Sequence, residues 1–404
     1  MKKLLLGSML AAGVAVVATA AFASTRGSAT PDGKALSAAA PLTCGKTRFI
    51  GIAFPATGDA ASLGQQQLRW ALFFQGRWNR THKTKIGVIQ GDTQLPNTAQ
   101  ALAVAHDFAA NPNLYGVIGP AGSQEVQDSI AVYKNAGLAG VTGSATRVAL
   151  TRAKPGKPRE TPVGYFFRTV PNDDQQGSRV TSYITKTLKK KRVYIIDDEE
   201  AYSQGLADRV QTLLRASGAS VSRDHVSQTV ADFSSLITRI PSNTQIVYIP
   251  WQLAGKAQLF FTQLRSAGKR AIVFGSDGLF APGTFTAPGS YVSAFPIDFK
   301  SAALKAYKRA HGGKEEAFGL PSYTAALVNA TAIQKACKDG KATRAEVRQN
   351  ILKTKLPASK TLLGFPVRFL RKNFGDSQGP GDMANPANFA VFHIVKGGKY
   401  VRVS

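Results

Sequence analysis

The sequence predicts an α/β fold with parallel sheets, arranged in two domains. Two observations carry this. From Arg48 onward, short apolar runs of strand character alternate with helical stretches, and these runs close on Gly, Pro, Ser or Asp. The rhythm stops at Pro171-Asn172-Asp173-Asp174 and then begins afresh, which marks a second domain starting near Asn172.

Taken in order, Phe49 to Phe54 reads as the first strand, and residues 63–79 as a helix with Leu68, Leu72 and Gln75 down one side. Lys85 to Gln90 is the second strand. Thr98 to Ala110 is an Ala-rich helix with an apolar stripe of Ala101, Val104, Ala105 and Phe108. Residues 115–119 form a buried strand, followed by a helix with Ser123 as N-cap. Leu138 to Val141 is the next strand, and Thr146 is placed to cap a further helix. Residues 154–162, with three prolines, read as a surface loop, and 165–171 as an extended segment.

In the second domain, helices are expected over 175–188, 203–217, 233–239 and 254–267, with strands at 193–196, Val221, 245–249 and 271–274. A short extended piece at 291–296 precedes helices over 302–311 and 322–338. Strands at 364–370 and 389–395 and a turn at Lys396-Gly397-Gly398-Lys399 complete the chain.

The stretch from Gly116 to Leu150 points to function. Two successive βα turns set Ser123, Thr146 and free backbone N–H groups at one sheet edge, a place suited to a carboxylate or phosphate. It carries no obvious reactive group. No G-x-S-x-G, Walker loop or H-E-x-x-H occurs, and the five histidines show no metal spacing, so neither an enzyme, a metal site nor a cofactor is expected. The acidic run Asp197-Asp198-Glu199-Glu200 is read as a solvated loop before Tyr202.

Lys2-Lys3, the apolar run to Phe22 and the ending Ala21-Phe22-Ala23 read as a signal peptide cleaved near Ala23, with an uncleaved anchor as the rival. Residues 24–47 are expected to form a mobile lead-in, and the protein to be exported to the periplasm or cell envelope. Two cysteines in an exported chain allow one internal bridge, Cys44–Cys337, with two free thiols as the alternative. The formal charge of +27 is scattered, and its one cluster, Lys186 with residues 189–192, ends a helix, where cations suit the dipole. An anionic envelope surface is therefore a better partner than nucleic acid.

Motifs along residues 48–403 resemble those of the type I periplasmic binding proteins, nearest the leucine/isoleucine/valine-binding group that feeds ABC importers. They include Val117-Ile118-Gly119-Pro120, Arg168-Thr169-Val170-Pro171 with Asp174-Gln175-Gln176-Gly177, Ala201-Tyr202-Ser203-Gln204-Gly205, and Gly275-Ser276-Asp277-Gly278. The resemblance implies two doubly wound parallel-sheet lobes joined by three crossovers, near Pro171, near Pro296 and between Pro386 and Phe389. Lobe 1 would take 48–171 with 297–386, and lobe 2 would take 172–296 with 387–404. It also implies an apolar amino acid held between closing lobes and delivered by a monomer to a membrane permease. Ser123 and Thr146 would hold its carboxylate. Backbone near Ser144 and Ala145, with Asp277, would hold its ammonium. Tyr202 would cover it, Trp251 would stand near it, and Leu63 and Phe318 would line its side-chain pocket. Read without the resemblance, Ser123 and Thr146 are helix caps, Asp277 is a turn aspartate and the aromatics are core. Gly143-Ser144-Ala145-Thr146 lacks the proline-alanine start common in the group.

Overall fold

The computed structural model describes residues 42–153, 156–296, 302–311 and 316–404. The expected signal peptide and the lead-in as far as residue 41 lie outside them.

After β1 (Leu42–Thr43), the first sheet is built from β2 (Thr47–Phe54), β3 (Lys85–Asp92), β4 (Leu114–Ile118), β5 (Gly140–Thr142) and β6 (Phe166–Arg168). All five are parallel, in the order β3-β2-β4-β5-β6. Three helices connect them: α1 (Ala61–Thr81), α2 (Thr98–Ala110) and α3 (Ser123–Asn135). The buried side of α1 is Leu63, Gln67, Trp70, Phe74 and Trp78, while Leu72 is exposed. This corrects the expected Leu68-Leu72-Gln75 face. The large aromatics at i, i+4, i+8 bury more apolar surface than the leucines do, and Trp70 further donates Nε1–H to Glu316 and stacks on Tyr307.

The second sheet repeats the plan. After α4 (Asp173–Ser182) come β7 (Arg192–Asp197), α5 (Ala201–Ala216), β8 (Ser220–His225), α6 (Ser234–Arg239), β9 (Ile246–Ile249), α7 (Ala254–Ser266), β10 (Ile272–Gly275) and β11 (Tyr291–Ala294). The parallel order is β8-β7-β9-β10-β11. Each sheet therefore reverses strand order once, between its first and third strands.

The chain then returns to the first lobe through α8 (Ala302–His311) and α9 (Gly319–Ala336), which packs on α1. Next come β12 (Lys341–Ala342), the unpredicted α10 (Arg344–Leu352), β13 (Lys355–Leu356) and β14 (Val367–Arg368). The strand expected over 364–370 shrinks to two residues. β15 (Ala390–Ile394), antiparallel to β11, and β16 (Tyr400–Arg402), antiparallel to β15, extend the second sheet, so that sheet is mixed. β1 pairs with β12, and Cys44 is bonded to Cys337 with Cα atoms 5.7 Å apart. The last residues of the lead-in are thus fixed to the fold.

Three crossovers join the lobes: after β6, after β11 and before β15. Each places one apolar residue, Val170, Phe295 and Phe389, into a single cluster with Leu63, Ala121 and Phe318. Beside it the buried Arg168 Nε meets Asp382 Oδ1 at 2.6 Å. Among the described residues, no helix is long and apolar enough to cross a membrane.

Candidate functional site

In open α/β sheets, the crevice outside the carboxyl ends of the strands, where strand order reverses, is the natural binding place. Both lobes present that edge to each other. Between them lies a tight, nearly filled cleft, lined by Leu63, Ala121, Gly122, Ser123, Ser144 and Phe318 from one side and Tyr202, Gln252, Asp277 and Gly278 from the other.

The first-lobe wall is built at the ends of β4 and β5. Gly119 has φ 110° and a Cβ there would lie 2.5 Å from Ala53 O, so only glycine makes this turn. The N-cap of α3 is Gly122, because the Glu125 carboxylate accepts the Gly122 N–H at 2.7 Å. Ser123 is therefore not the cap that the sequence suggests. Its Oγ accepts the Arg147 N–H at 3.3 Å, which leaves its own proton to donate into the cavity. Thr142 Oγ1 donates to Pro120 O and accepts Ser144 N–H and Ala145 N–H, locking the two loops together. Ser144 Oγ donates to Ala121 O at 2.7 Å and accepts from Gln67 Nε2 at 2.8 Å.

The helix expected after Thr146 is a single turn at Val148–Leu150. Thr146 itself is fully buried and does not line the cavity; its hydroxyl opposes the effect of burial on Asp173, whose carboxyl is pushed up to about 7. Ala145 packs with Val126, Ile130, Leu150 and Phe166. Its carbonyl accepts from Arg168.

The second-lobe wall is dominated by Asp277, which follows β10 and is 2% exposed. Its Oδ1 accepts from Tyr202 OH at 2.5 Å and from Gln176 Nε2 at 2.7 Å. Gln176 is held in turn by Ser293 Oγ at 2.9 Å. Burial pushes the Asp277 carboxyl up to about 6, against the two donors that favour its charged form. Burial and the nearby Asp277 and Asp173 carboxyls drive the Tyr202 phenol well above its ordinary value. None of the described ion pairs includes Asp277. Asp277 is thus the carboxylate that lines the cleft, bonded to neutral donors, the condition for receiving a cation.

Trp251 stands elsewhere. Its Nε1–H donates to Ile196 O at 2.8 Å, and its ring stacks on Phe233 inside the second-lobe core. It reaches the site through its backbone: its carbonyl accepts from Ser276 Oγ, and a Cβ at Gly278 would lie 2.5 Å from it. The acidic run also differs from expectation. Asp197 and Asp198 are buried, Asp197 because Arg223 pairs with it at 2.8 Å, and only Glu199 is exposed.

Two residues of the site were given no role from sequence. Gln252 is 4% exposed, and its Nε2 has no hydrogen-bond partner among the described residues. Its signal was available, since it follows β9 at the same sheet edge as Asp277. Gln176 sits in the Asp174-Gln175-Gln176-Gly177 motif, but its bond to Asp277 spans 101 residues.

The description "Periplasmic binding protein" matches residues 47–385. The chain belongs to this family. It is a family of solute-binding proteins, not of enzymes. This periplasmic binding protein is 30% identical to a Leu/Ile/Val-binding protein of Rhizobium johnstonii, over 75% of this chain and 83% of that one. It is 28% identical to a leucine-, isoleucine-, valine-, threonine- and alanine-binding protein of Pseudomonas aeruginosa, over 80% and 87% of the two chains. Its fold is that of a leucine-binding protein from Thermotoga maritima, with a TM-score of 0.75 at 20% identity, over 88% of this chain and 98% of that one.

Proposed function

We propose that this periplasmic binding protein captures an aliphatic, branched-chain α-amino acid between its lobes and delivers it, as a monomer, to the permease of an ABC importer at the outer face of the membrane. The observation that carries this is Asp277, a buried carboxylate held by Tyr202 and Gln176 without a cation. It faces the α3 N-terminus across the same cavity. An α-ammonium supplies the missing charge. The α-carboxylate accepts a hydrogen bond from the Ser123 hydroxyl and lies at the positive end of α3, and Gln252 adds a donor. Leu63 and Phe318 offer an aliphatic side chain an apolar wall. Names of relatives point the same way, being proteins named for leucine, isoleucine and valine.

Closure is supported by contacts that bridge the lobes. Arg147, paired with Glu160, donates to the Ala201 carbonyl at the start of α5 at 2.5 Å. Leu253 packs against Ala60 and Leu95. The test is a thermal-shift and calorimetry screen of all amino acids. Leucine, isoleucine or valine at 100 times its dissociation constant stabilises the protein by about 2.7 kcal/mol. Failure of every amino acid to bind overturns the reading.

A further inference from the structure

The first lobe carries a second concavity away from the cleft, an open groove of about 580 Å³ between α1 and α9. Phe74, Arg77, Trp78 and Thr81 recur at i, i+3, i+4 and i+7 and so share one face of α1. Leu327, Thr331 and Gln334 do the same on α9, and the 356–360 segment closes the end. The floor is apolar: Phe74, Trp78, Tyr323, Leu327 and Leu356. The rim is Arg77, Arg80, His82 and Lys360, and no Asp or Glu lines it.

That charge pattern is a property of the segment. From Ala60 to Gly91 the chain has five Lys and Arg and no acidic residue, and Arg69, with Glu316, is the one of these in a described ion pair. Arg77 is drawn over the groove wall, its guanidinium 5.7 Å from the Phe73 ring centre. Arg80 and Lys360 are exposed, and neither has a described carboxylate partner. At the strand pair β13–β14, Lys355, Arg368, Arg371 and Lys372 line another concavity that also has no acidic lining residue.

We propose that this groove is a second ligand site, for an amphiphilic monoanion: a carboxylate with an extended apolar body. The body leaves water against the aromatic and aliphatic floor, and the carboxylate meets Arg80 and Lys360 at the rim. A zwitterionic amino acid is excluded, because nothing in the groove balances an ammonium. The concave shape favours a small molecule over a flat bilayer, whose surface does not reach the floor.

The test is calorimetry on the whole protein with n-octanoate, n-decanoate and n-octylammonium below their micelle concentrations. Alkanoate binds saturably, about four-fold tighter per added methylene, and more weakly as salt is raised. Octylammonium does not bind. The double substitution Arg80→Gln with Lys360→Gln weakens octanoate about three- to ten-fold, the range for two exposed charge contacts, with an unchanged melting temperature. Trp78→Phe removes the fluorescence change on binding. Asp277→Ala leaves octanoate affinity unchanged, so the result is independent of the amino-acid reading. Equal affinity for octylammonium, an undiminished affinity in the double variant, loss of octanoate binding in Asp277→Ala, or binding only to phosphatidylglycerol vesicles would each overturn the proposal.

Discussion

The two walls of the cleft are made from the same βα unit and do opposite electrostatic work. The side chains that line the first-lobe wall are neutral. Its hydroxyls, Thr142 and Ser144, are committed to holding the β4 and β5 loops together, and Ser123 alone keeps a free proton. The second-lobe wall holds a charge that the fold only partly satisfies, with Asp277 supported by Tyr202 and Gln176. The contrast teaches where binding free energy and closure come from. The first lobe offers a finished dock whose bonds exist with or without a ligand. The second carries an unpaired buried carboxylate that a bound cation relieves, and that relief favours the closed form.

The sharpest way to break this comparison is Asp277→Ala. It weakens amino-acid binding by about 2–5 kcal/mol, tens to thousands of fold, while the free protein stays folded. Unchanged affinity by calorimetry removes Asp277 from the site. Tyr202→Phe is the next largest effect, about 1.5–3 kcal/mol for one hydrogen bond to a charged group. A loss equal to that of Asp277→Ala would show that Tyr202 is needed to hold the carboxylate in place.

Titration probes the same wall with no substitution. Burial raises the free Asp277 carboxyl to about 6, whereas an ammonium partner favours the charged form. The complex therefore holds the proton less tightly than the free protein, and affinity falls as pH drops below about 6, by up to tenfold per unit. Affinity that stays flat from pH 7 to 5 contradicts it. The smallest effect on binding is expected of Trp251→Phe. It costs about 1 kcal/mol of stability through the lost bond to Ile196 O, with ligand affinity nearly unchanged. A large loss of affinity would instead place the indole in the site.

Placement that follows from chain-local pattern was legible in the sequence, though the roles were not. Ser123 and Asp277 each follow a strand that reads clearly, and the break at Pro171-Asn172 is visible as a change of rhythm. Residues whose role depends on a distant partner were not. Gln176 looks like one more polar residue on α4 until β10 brings Asp277 to it. Thr146 has the composition of a cap, but it is fully buried and its carbonyl accepts the Asp173 N–H at the head of α4. The aromatic face of α1 was hidden because the leucines on its other side have the same periodicity, and only packing against α9 decides which stripe is buried.

By itself, then, the sequence determined the alternation of strands and helices, the division into two lobes, and the turns that carry hydroxyl and carboxylate groups at strand ends. All of these follow from local periodicity, glycine conformation and turn chemistry, which act over a few residues. Tertiary structure alone decided that Trp251 is core, that Asp197 is paired, that β15 and β16 run antiparallel, and that Tyr202, Gln176 and Asp277 meet. Those outcomes depend on which surfaces exclude water together, and that is decided by packing within the second lobe between residues far apart in sequence.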